Sequence, residues 1–183
     1  QVGELRRMVD EFSSFARLPK PVFRSEDPVD LARQALFLQE VARPDIDFSF
    51  RLVGTPGAKS VGDTILCDRH QFGQAMTNVI KNAVEAVEAK MRNAPLDYRG
   101  RIELALSQQE QAISITVTDN GIGLPKDRER IVEPYVTTRE KGTGLGLAIV
   151  NKIVEEHGGD MTFDTVESGG TQVTLRFARD PLA

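Results

Sequence analysis

A chain of 183 residues with 40% hydrophobic and 27% charged side chains has room for one globular domain with a sizeable core. Its net charge of −4 excludes a general nucleic-acid-binding surface, so any bound anion must be held by a few local groups. The single cysteine, Cys67, excludes an internal disulfide framework, and we expect it to be a small buried side chain in a reducing compartment. The sequence has no apolar run of roughly 20 residues and no recognisable leader, which predicts a cytoplasmic segment, although the full-length protein could be membrane-anchored.

Residues 1–16 carry apolar side chains at intervals of three and four, which predicts an amphipathic helix. Such a helix either packs on its own domain or forms the end of a longer helical hairpin that dimerises. The polar, proline-containing segment behind it favours the second interpretation. We therefore expect 1–18 to be the C-terminal part of a truncated dimerisation helix, 19–28 to be a linker and 29–183 to be the main domain. Because the chain begins with Gln1, we also expect it to be part of a longer protein.

Helical and strand patterns follow one another irregularly after the linker. Apolar spacing of three and four predicts helices over 30–41, 68–92 and 144–157. Alternating or short apolar runs predict strands over 46–53, 64–67, 101–107, 112–118, 161–166 and 172–177, and a short edge strand over 22–23. This order is not a series of βαβ units. It predicts an α+β fold, a two-layer α/β sandwich in which a mixed sheet carries helices on one face, plus an N-terminal helical stub.

Three polar residues share one side of the predicted helix 68–92. Asn78, Asn82 and Glu85 project within an arc of roughly 60° at 3.6 residues per turn. Two asparagines inside a good helical pattern are locally unfavourable choices. Either they face solvent or bond to a neighbouring loop, or they have a function, because an amide oxygen is a good ligand for a hard cation such as Mg²⁺.

The sequence Asp119-Asn120-Gly121-Ile122-Gly123 follows a buried-looking strand. A carboxylate at a strand end can accept a hydrogen bond from an exocyclic amine such as that of adenine, and Gly121 and Gly123 would let the backbone approach a flat ring. Taken alone, the same residues form an ordinary turn, since Asp-Asn-Gly is a strong turn former.

A second glycine-rich stretch, Lys141-Gly142-Thr143-Gly144-Leu145-Gly146-Leu147, opens a predicted helix. Backbone N–H groups and the helix dipole at such a start can hold phosphate. The stretch is neither a Rossmann fingerprint nor a P-loop, because no strand immediately precedes it and no Lys-Ser/Thr follows it. The segment before it, which includes Arg139, is either a solvated loop of mixed charge or a lid that contacts polyphosphate. We expect residues 126–141 to be poorly ordered without nucleotide.

In this order the motifs resemble those of the sensor histidine kinases. The similar segments are Asn78–Ala83 for the N box, Asp119–Gly123 for the first glycine box, Glu133–Tyr135 for the F box, Gly142–Leu147 for the second glycine box and Gly169–Thr171 for the third. The similarity covers about residues 22–178 and implies the Bergerat ATP-binding fold shared with gyrase, the heat-shock 90 chaperones and mismatch-repair ATPases. The opening sequence EFSSFARLPKP further resembles the nitrogen-regulation (NtrY/NtrB-like) branch, although Tyr135 and Val136 depart from the aromatic pair usual there.

The resemblance implies a role for each motif, with ATP and Mg²⁺ bound. Asn82 would coordinate the Mg²⁺ bound to the phosphates, and Asn78 and Glu85 would contact the nucleotide beside it. Asp119 would bind the adenine amino group above Gly121 and Gly123, with Thr171 behind the base. The phosphates would be wrapped by Gly142, Thr143, Gly144, Leu145, Gly146 and Leu147. Arg139 or Lys141 would contact the γ-phosphate.

The resemblance also implies partners outside the chain. The γ-phosphoryl group would pass to a histidine on a dimerisation hairpin and then to an aspartate of a response regulator receiver domain, and the full-length protein would be a homodimer. The chain's own histidines do not fit the acceptor role. His70 lies near the start of the N-box helix, and His157 lies at a helix C-terminus, where the dipole favours a cation.

Two other functions stay open from the residues alone. An ATP hydrolase or chaperone-type member of the same fold would place a glutamate base where Asn78 stands, and an asparagine cannot take up the proton of an attacking water. A non-catalytic nucleotide-binding or interaction module would need no such base, and phosphorylation of an added histidine hairpin would distinguish it from a kinase.

Overall fold

The computed structural model describes residues 18–54, 64–124 and 145–183, together with Gly3, Leu5, Arg6, Val9, Asp10 and Ser13, which are helical. From residue 18 onward the helices are α1 (Pro28–Ala42), α2 (Arg69–Met91) and α3 (Gly146–Glu156). The strands are β1 (Arg24–Glu26), β2 (Asp47–Val53), β3 (Ile65–Cys67), β4 (Arg101–Gln108), β5 (Ala112–Asp119), β6 (Asp160–Thr165) and β7 (Thr171–Ala178). Within these ranges, no helix combines the length and the apolar character needed to cross a membrane.

Five strands form one mixed sheet in the order β2-β4-β5-β7-β6. Strands β2 and β4 are parallel, and the other neighbours are antiparallel. Alternate residues of β4 and β7 are buried in the core together with one side of α2: Ile102, Leu104, Leu106, Val173, Leu175, Phe177, Phe72, Met76 and Ile80. Each such side chain contributes roughly 1.5–3 kcal/mol on burial. The predicted two-layer sandwich with a mixed sheet is therefore confirmed.

The ends of α1 and α3 differ from the predicted bounds for local reasons. Helix α1 begins at Pro28, because Asp27 caps it by accepting the N–H of Val29 at 2.9 Å and that of Asp30 at 3.3 Å. Proline is well suited to this first turn, where its missing N–H would have no helical partner. Helix α3 begins at Gly146 with Leu145 as its N-cap, two residues later than predicted.

The segment predicted as a linker contacts the main domain through its first residues. The Val22 N–H donates to the Asp68 carboxylate at 2.9 Å, and the Gln71 side-chain amide donates to the Pro19 carbonyl at 2.7 Å. The predicted edge strand at residues 22–23 is wrong, since pairing begins at Arg24 with β1 antiparallel to β3. The Val22 N–H instead bonds to Asp68, and Arg24–Glu26 pair with β3.

His157 joins the end of α3 to the start of α2. It is 1% exposed, its Nε2 accepts the Asp68 N–H at 3.1 Å, and its Nδ1–H donates to the Ile153 carbonyl at 2.8 Å. This geometry requires the neutral ring, and burial lowers the pKa of His157. The expectation of a cation favoured by the helix dipole is wrong, because the cost of desolvating the charged ring outweighs the attraction of the helix terminus.

We expect the stability contribution of His157 to depend on pH. Because its folded-state pKa is lowered, this contribution is complete above the unfolded value of about 6.5 and is lost as the pH falls from there through the folded-state pKa. In urea unfolding at pH 7.5 and 5.0, His157→Phe should show a smaller pH dependence than the wild type. The exposed His70 provides the control, since His70→Gln should keep the wild-type difference. A His157→Phe curve parallel to the wild type would contradict the neutral, buried assignment.

Candidate functional site

Helix α2 presents the three polar residues that the spacing predicts on one side. Asn78, Asn82 and Glu85 are each half-buried, and the neighbouring apolar positions are fully buried in the core. The helix begins where Asp68 accepts the N–H of Gln71 at 3.0 Å. Partial burial raises the pKa of Asp68, but hydrogen bonds from backbone N–H groups, that of Val22 first, outweigh it and lower the pKa overall. The predicted cap is thus confirmed, and it is an ionised carboxylate at neutral pH.

Asn78 connects α2 to the start of α3. Its side-chain amide donates to the carbonyl of Gly146 at 3.3 Å. At the opposite end of the same pair of helices, Asp68 contacts His157. Helices α2 and α3 are therefore antiparallel, and both ends of α3 are joined to the first half of α2. Of the alternatives given for Asn78 from the sequence, the structure shows a bond to a neighbouring segment. This bond places the start of the glycine-rich helix beside α2.

Asp119 is a buried carboxylate at the end of β5. It is 5% exposed, and its Oδ1 accepts the N–H of Gly121 at 2.8 Å. Across the sheet it pairs with Thr171 of β7, which is 7% exposed. A buried carboxylate persists only when it is hydrogen-bonded, and the turn after β5 supplies one of these bonds. The sheet thereby brings two predicted site residues from distant motifs side by side.

Two glycines near Asp119 allow backbones to pack closely. A Cβ on Gly121 would lie 2.4 Å from the carbonyl carbon of Ala86 in α2, and one on Gly170 would lie 1.9 Å from the carbonyl oxygen of Asp119. The Ile122 N–H also donates to the Ala86 carbonyl at 3.2 Å. The sequence indicated that Gly121 approaches a flat ring, whereas the structure shows that it approaches the backbone of α2. Both glycines therefore fix Asp119 relative to its neighbours.

We expect Gly121→Ala to destabilise the domain by about 1–3 kcal/mol, because the new methyl group would overlap the rigid backbone of α2. Gly73→Ala, in the first turns of α2, is the control, since a Cβ there would have nothing within 4 Å. In a helix interior this control should stabilise by up to about 1 kcal/mol. Urea denaturation of the two variants and the wild type measures both effects. An unchanged midpoint for Gly121→Ala would contradict the close approach to Ala86.

Two residues next to Asp119 were not among the predicted site residues. The Asn120 side chain and the Tyr98 hydroxyl are hydrogen-bonded to each other at 3.1 Å on the outer side of the turn. The sequence assigned Asn120 only to a turn and gave no role to Tyr98, which follows the break at Pro95. No periodicity connects them, because they meet only when the segment before β4 and the turn after β5 are adjacent in the sheet.

Several predicted site residues lie outside the described residues. These are Arg139, Lys141, Gly142, Thr143 and Gly144, together with the whole segment 126–141 that was expected to be poorly ordered. The end of the same motif is described. The Leu145 side chain is fully buried in the core, whereas Gly146 and Leu147 are half-buried at the start of α3. Any contact of Leu145 with a ligand must therefore be made by its backbone.

A groove of about 830 Å³ lies between β1, α1 and the first half of α2. Its lining includes Leu31 and Leu38 from α1, and Gly73 and Asn78 from α2. Of the predicted site residues it contains Asn78, but not Asp119 or Thr171, which lie on the sheet side of the domain. We regard the groove as separate from the candidate site, because neither the buried carboxylate nor any described residue of the glycine boxes lines it.

The combination of a two-layer mixed sheet, a buried strand-end carboxylate and a glycine-rich helix start is that of an ATP-binding domain with the Bergerat fold. Residues 67–181 match the family of histidine kinase-, DNA gyrase B- and HSP90-like ATPases. The nitrogen regulation protein NtrY of Azorhizobium caulinodans is 48% identical over 179 residues, which are 96% of this chain and 22% of that protein. The catalytic domain of histidine kinase ThkA superposes with a TM-score of 0.70 at 26% identity, covering 87% of this chain and 97% of that chain.

Full-length ShkA in complex with AMPPNP has a TM-score of 0.75 at 27% identity and covers 99% of this chain and 38% of that chain. The chain therefore belongs to the histidine kinase, DNA gyrase B and HSP90-like ATPase family, and it is a catalytic domain of the sensor histidine kinase type. Its relatives include NtrY, so the expected resemblance to the nitrogen-regulation branch is confirmed. The chain spans 22% of NtrY and 28% of an NtrY-like kinase of Rickettsia bellii.

Proposed function

We propose that this domain binds ATP together with Mg²⁺ and delivers the γ-phosphoryl group to a histidine on a dimerisation hairpin of the same protein. The observation that carries the proposal is the buried Asp119 carboxylate, fixed beside Thr171 at the end of β5. A buried anion at a strand end suits an exocyclic amine as hydrogen-bond donor, and adenine has one. The similarity to full-length ShkA, solved in complex with AMPPNP, supports the same ligand class.

The adenine end of the proposed site is built by the sheet and its turns. Asp119 would accept a hydrogen bond from the adenine amine, with Thr171 beside it and Gly123 in the turn above it. The positive φ of 87° at Gly123 favours glycine, since other residues are strained there. Guanine would place a carbonyl oxygen against the carboxylate, so this arrangement selects adenine over guanine.

The phosphate end lies between α2 and the start of α3. The bond from Asn78 to the Gly146 carbonyl holds this helix start against α2, on the side that also carries Asn82 and Glu85. We propose that Gly142, Thr143, Gly144 and Gly146 contact the phosphates, that Leu145 and Leu147 flank them, and that Arg139 or Lys141 neutralises the γ-phosphate. A helix N-terminus that is rich in glycine suits this role, because its N–H groups have no helical acceptor.

The residues of α2 fit a magnesium ion bound mainly by phosphate. Asn82 offers a neutral amide oxygen and Glu85 a carboxylate one turn away, and Mg²⁺ in nucleotide sites uses only one or two protein oxygens. When bound, Mg²⁺ supplies neutralisation of the phosphate charge that develops in phosphoryl transfer. We propose Asn82 as its protein ligand, with Asn78 and Glu85 contacting the nucleotide beside it.

The acceptor histidine belongs to another segment, which we propose to be a hairpin helix preceding this domain. His157 is 1% exposed, and its ring nitrogens are both hydrogen-bonded within the core. It also lies at the end of the 11-residue helix α3, roughly 16 Å from the glycine-rich start. An in-line transfer requires the acceptor nitrogen within about 3–3.5 Å of the phosphorus. Residues 1–18 would be the end of that hairpin, 19–28 the linker and 29–183 the catalytic domain.

The full-length protein would then be a cytoplasmic-facing homodimer that passes the phosphoryl group to a response regulator receiver domain. The similarity to NtrY and to an NtrY-like sensor histidine kinase supports a sensor kinase as the whole protein. Hydrolysis as the main purpose is disfavoured by Asn78. Its amide donates to the Gly146 carbonyl, and an amide cannot act as the general base for water.

Titration with a fluorescent ADP analogue, with and without Mg²⁺, tests the binding part of the proposal. We expect saturable binding that Mg²⁺ strengthens and that unlabelled ATP competes. Radiolabelled ATP added to this chain alone should give no acid-labile label on His70 or His157, and addition of the hairpin helix as a peptide should give label on that peptide. Binding without transfer would indicate a nucleotide-binding module, and no binding at all would reject the proposal.

A further inference from the structure

The turn after β5 is held from outside by the side chain of Asn120. Its Oδ1 accepts the Arg101 N–H at 2.7 Å, and its Nδ2 donates to the Arg99 carbonyl at 2.8 Å. The Asn120 N–H also donates to the Arg101 carbonyl at 3.3 Å. One residue in the turn is thus bonded to both ends of the short segment that leads into β4.

Tyr98 completes this contact. Its hydroxyl donates to the Asn120 carbonyl at 2.9 Å and lies 3.1 Å from the Asn120 Oδ1. The ammonium of Lys90, near the end of α2, lies 5.3 Å from the centre of the Tyr98 ring, so the ring is itself held in place. Burial raises the pKa of Tyr98, and the charge of Asp119 raises it further, which keeps the hydroxyl protonated and able to donate.

Asp119 is consequently positioned from three directions. Asn120, the C-terminal neighbour of Asp119, is bonded to residues 98–101. Gly121 packs against Ala86 of α2, and Gly170 packs against the Asp119 carbonyl. The two glycines act by letting neighbouring backbone segments pack closely, and they have no side chain that could form a hydrogen bond. The side-chain hydrogen bonds that tie this turn to the segment before β4 come from Asn120 and Tyr98.

We propose that Asn120 and Tyr98 are positioning residues for base recognition: they hold the turn so that the Asp119 carboxylate meets the adenine amine and rejects guanine. This inference rests on the proposed function and adds two residues to it. Neither residue needs to touch the nucleotide, since both act through Asp119.

The chemistry of the contact explains why asparagine is required at position 120. The position needs an acceptor for the Arg101 N–H and a donor for the Arg99 carbonyl. Aspartate would lose the donor and place a charge against a carbonyl, and serine would be too short to bond both groups. Replacement by alanine removes both bonds and leaves the turn attached by its backbone.

The test compares the affinities for fluorescent ADP and GDP analogues in four proteins. Asn120→Ala should weaken ADP binding about tenfold and lower the ADP-to-GDP affinity ratio by a similar factor, because a mobile carboxylate discriminates less. Tyr98→Phe should weaken ADP binding about threefold, since it loses only the hydroxyl bonds. In the double variant the effects should be less than multiplicative, because both residues act through the same contact.

Arg99→Gln is the matched control. Arg99 is on the same segment and donates from its side chain to Asp47 at 2.9 Å, whereas its bond to Asn120 uses only the backbone carbonyl. Because this ion pair is exposed, Arg99→Gln should change the melting temperature little and leave the ADP-to-GDP affinity ratio unchanged. Circular dichroism ensures that every titration is made on folded protein, and if Asn120→Ala does not fold, Tyr98→Phe decides the question.

The outcomes separate this inference from the proposed function. If the wild type binds ADP and Asp119→Asn binds it more weakly, the adenine assignment holds. An unchanged ADP-to-GDP ratio in Asn120→Ala and Tyr98→Phe would then overturn the positioning role, even if both variants melt earlier. If the wild type shows no preference for ADP over GDP, the adenine assignment itself fails and this inference fails with it.

Discussion

Asp119→Asn is expected to weaken ADP binding by roughly 5- to 150-fold, the equivalent of about 1–3 kcal/mol. The amide oxygen of the new side chain can still accept the Gly121 N–H, which the carboxylate accepts at 2.8 Å in the wild type. The NH₂ group of the new side chain would then face the amine of adenine. Both groups are hydrogen-bond donors, so no hydrogen bond could form between them. The substitution therefore removes base recognition while it preserves the bond that holds the turn. Isothermal titration calorimetry with ADP measures the loss.

A carboxylate on the neighbouring hairpin is the control for this variant. Asp164 of β6 is exposed at the edge of the sheet, and Asp164→Asn should bind ADP as the wild type does. Thermal melting of both variants shows whether the fold is kept. Equal ADP affinities for the wild type and Asp119→Asn would remove Asp119 from the site and, with it, the main support for a nucleotide in this position.

Asn82→Ala is expected to have the largest effect on phosphoryl transfer, with a loss of roughly a hundredfold or more. The proposed role of Asn82 is to hold the cation that neutralises the phosphates, and its half-buried position on α2 lies outside the fully buried stripe. We therefore expect a much smaller change in melting temperature. For Asn82→Ala, the ADP affinity measured with Mg²⁺ should fall toward the affinity measured with EDTA. The variant would then no longer bind ADP more tightly when Mg²⁺ is present.

Lys81→Ala is the matched control, because it removes a long exposed side chain from the adjacent position of the same helix. It should keep the Mg²⁺-dependent difference in ADP affinity. If Asn82→Ala lowered the melting temperature as strongly as the rate of transfer, Asn82 would be a structural residue. If it kept the full response to Mg²⁺, another group would be the ligand.

The repeated local patterns predicted most of the regular structure. The apolar spacing of α2 is sustained over six turns, and Asp68 stands where a cap is expected, so both the helix and its start were evident. Strands β4 and β5 and the β6–β7 hairpin each have alternating or continuous apolar residues between clear turns. In each case the signal lies within a few neighbouring residues, because periodicity reflects which side of one element is buried.

The short elements were harder to predict. Strand β1 has three residues, two of them exposed, and it is a strand because β3 pairs with it. Its position depends on Val22, which bonds to Asp68 at a separation of 46 residues. Similarly, His157 at the end of α3 is neutral because it is buried, and its Nε2 accepts the N–H of Asp68, which is 89 residues away in sequence. A local pattern contains no information about such partners.

Motif spacing and residue chemistry were enough to predict the class of fold, the order of the glycine boxes and Asp119, Asn78 and Asn82 as candidate site residues. The packing of Gly121 against α2, the bond from Asn78 to Gly146 and the attachment of the turn beside Asp119 by Asn120 and Tyr98 could not be predicted in this way. The physical reason is that hydrogen bonds and close packing act over about 3–4 Å between groups that are distant in sequence. Their partners are defined only after the sheet and the two antiparallel helices have packed together.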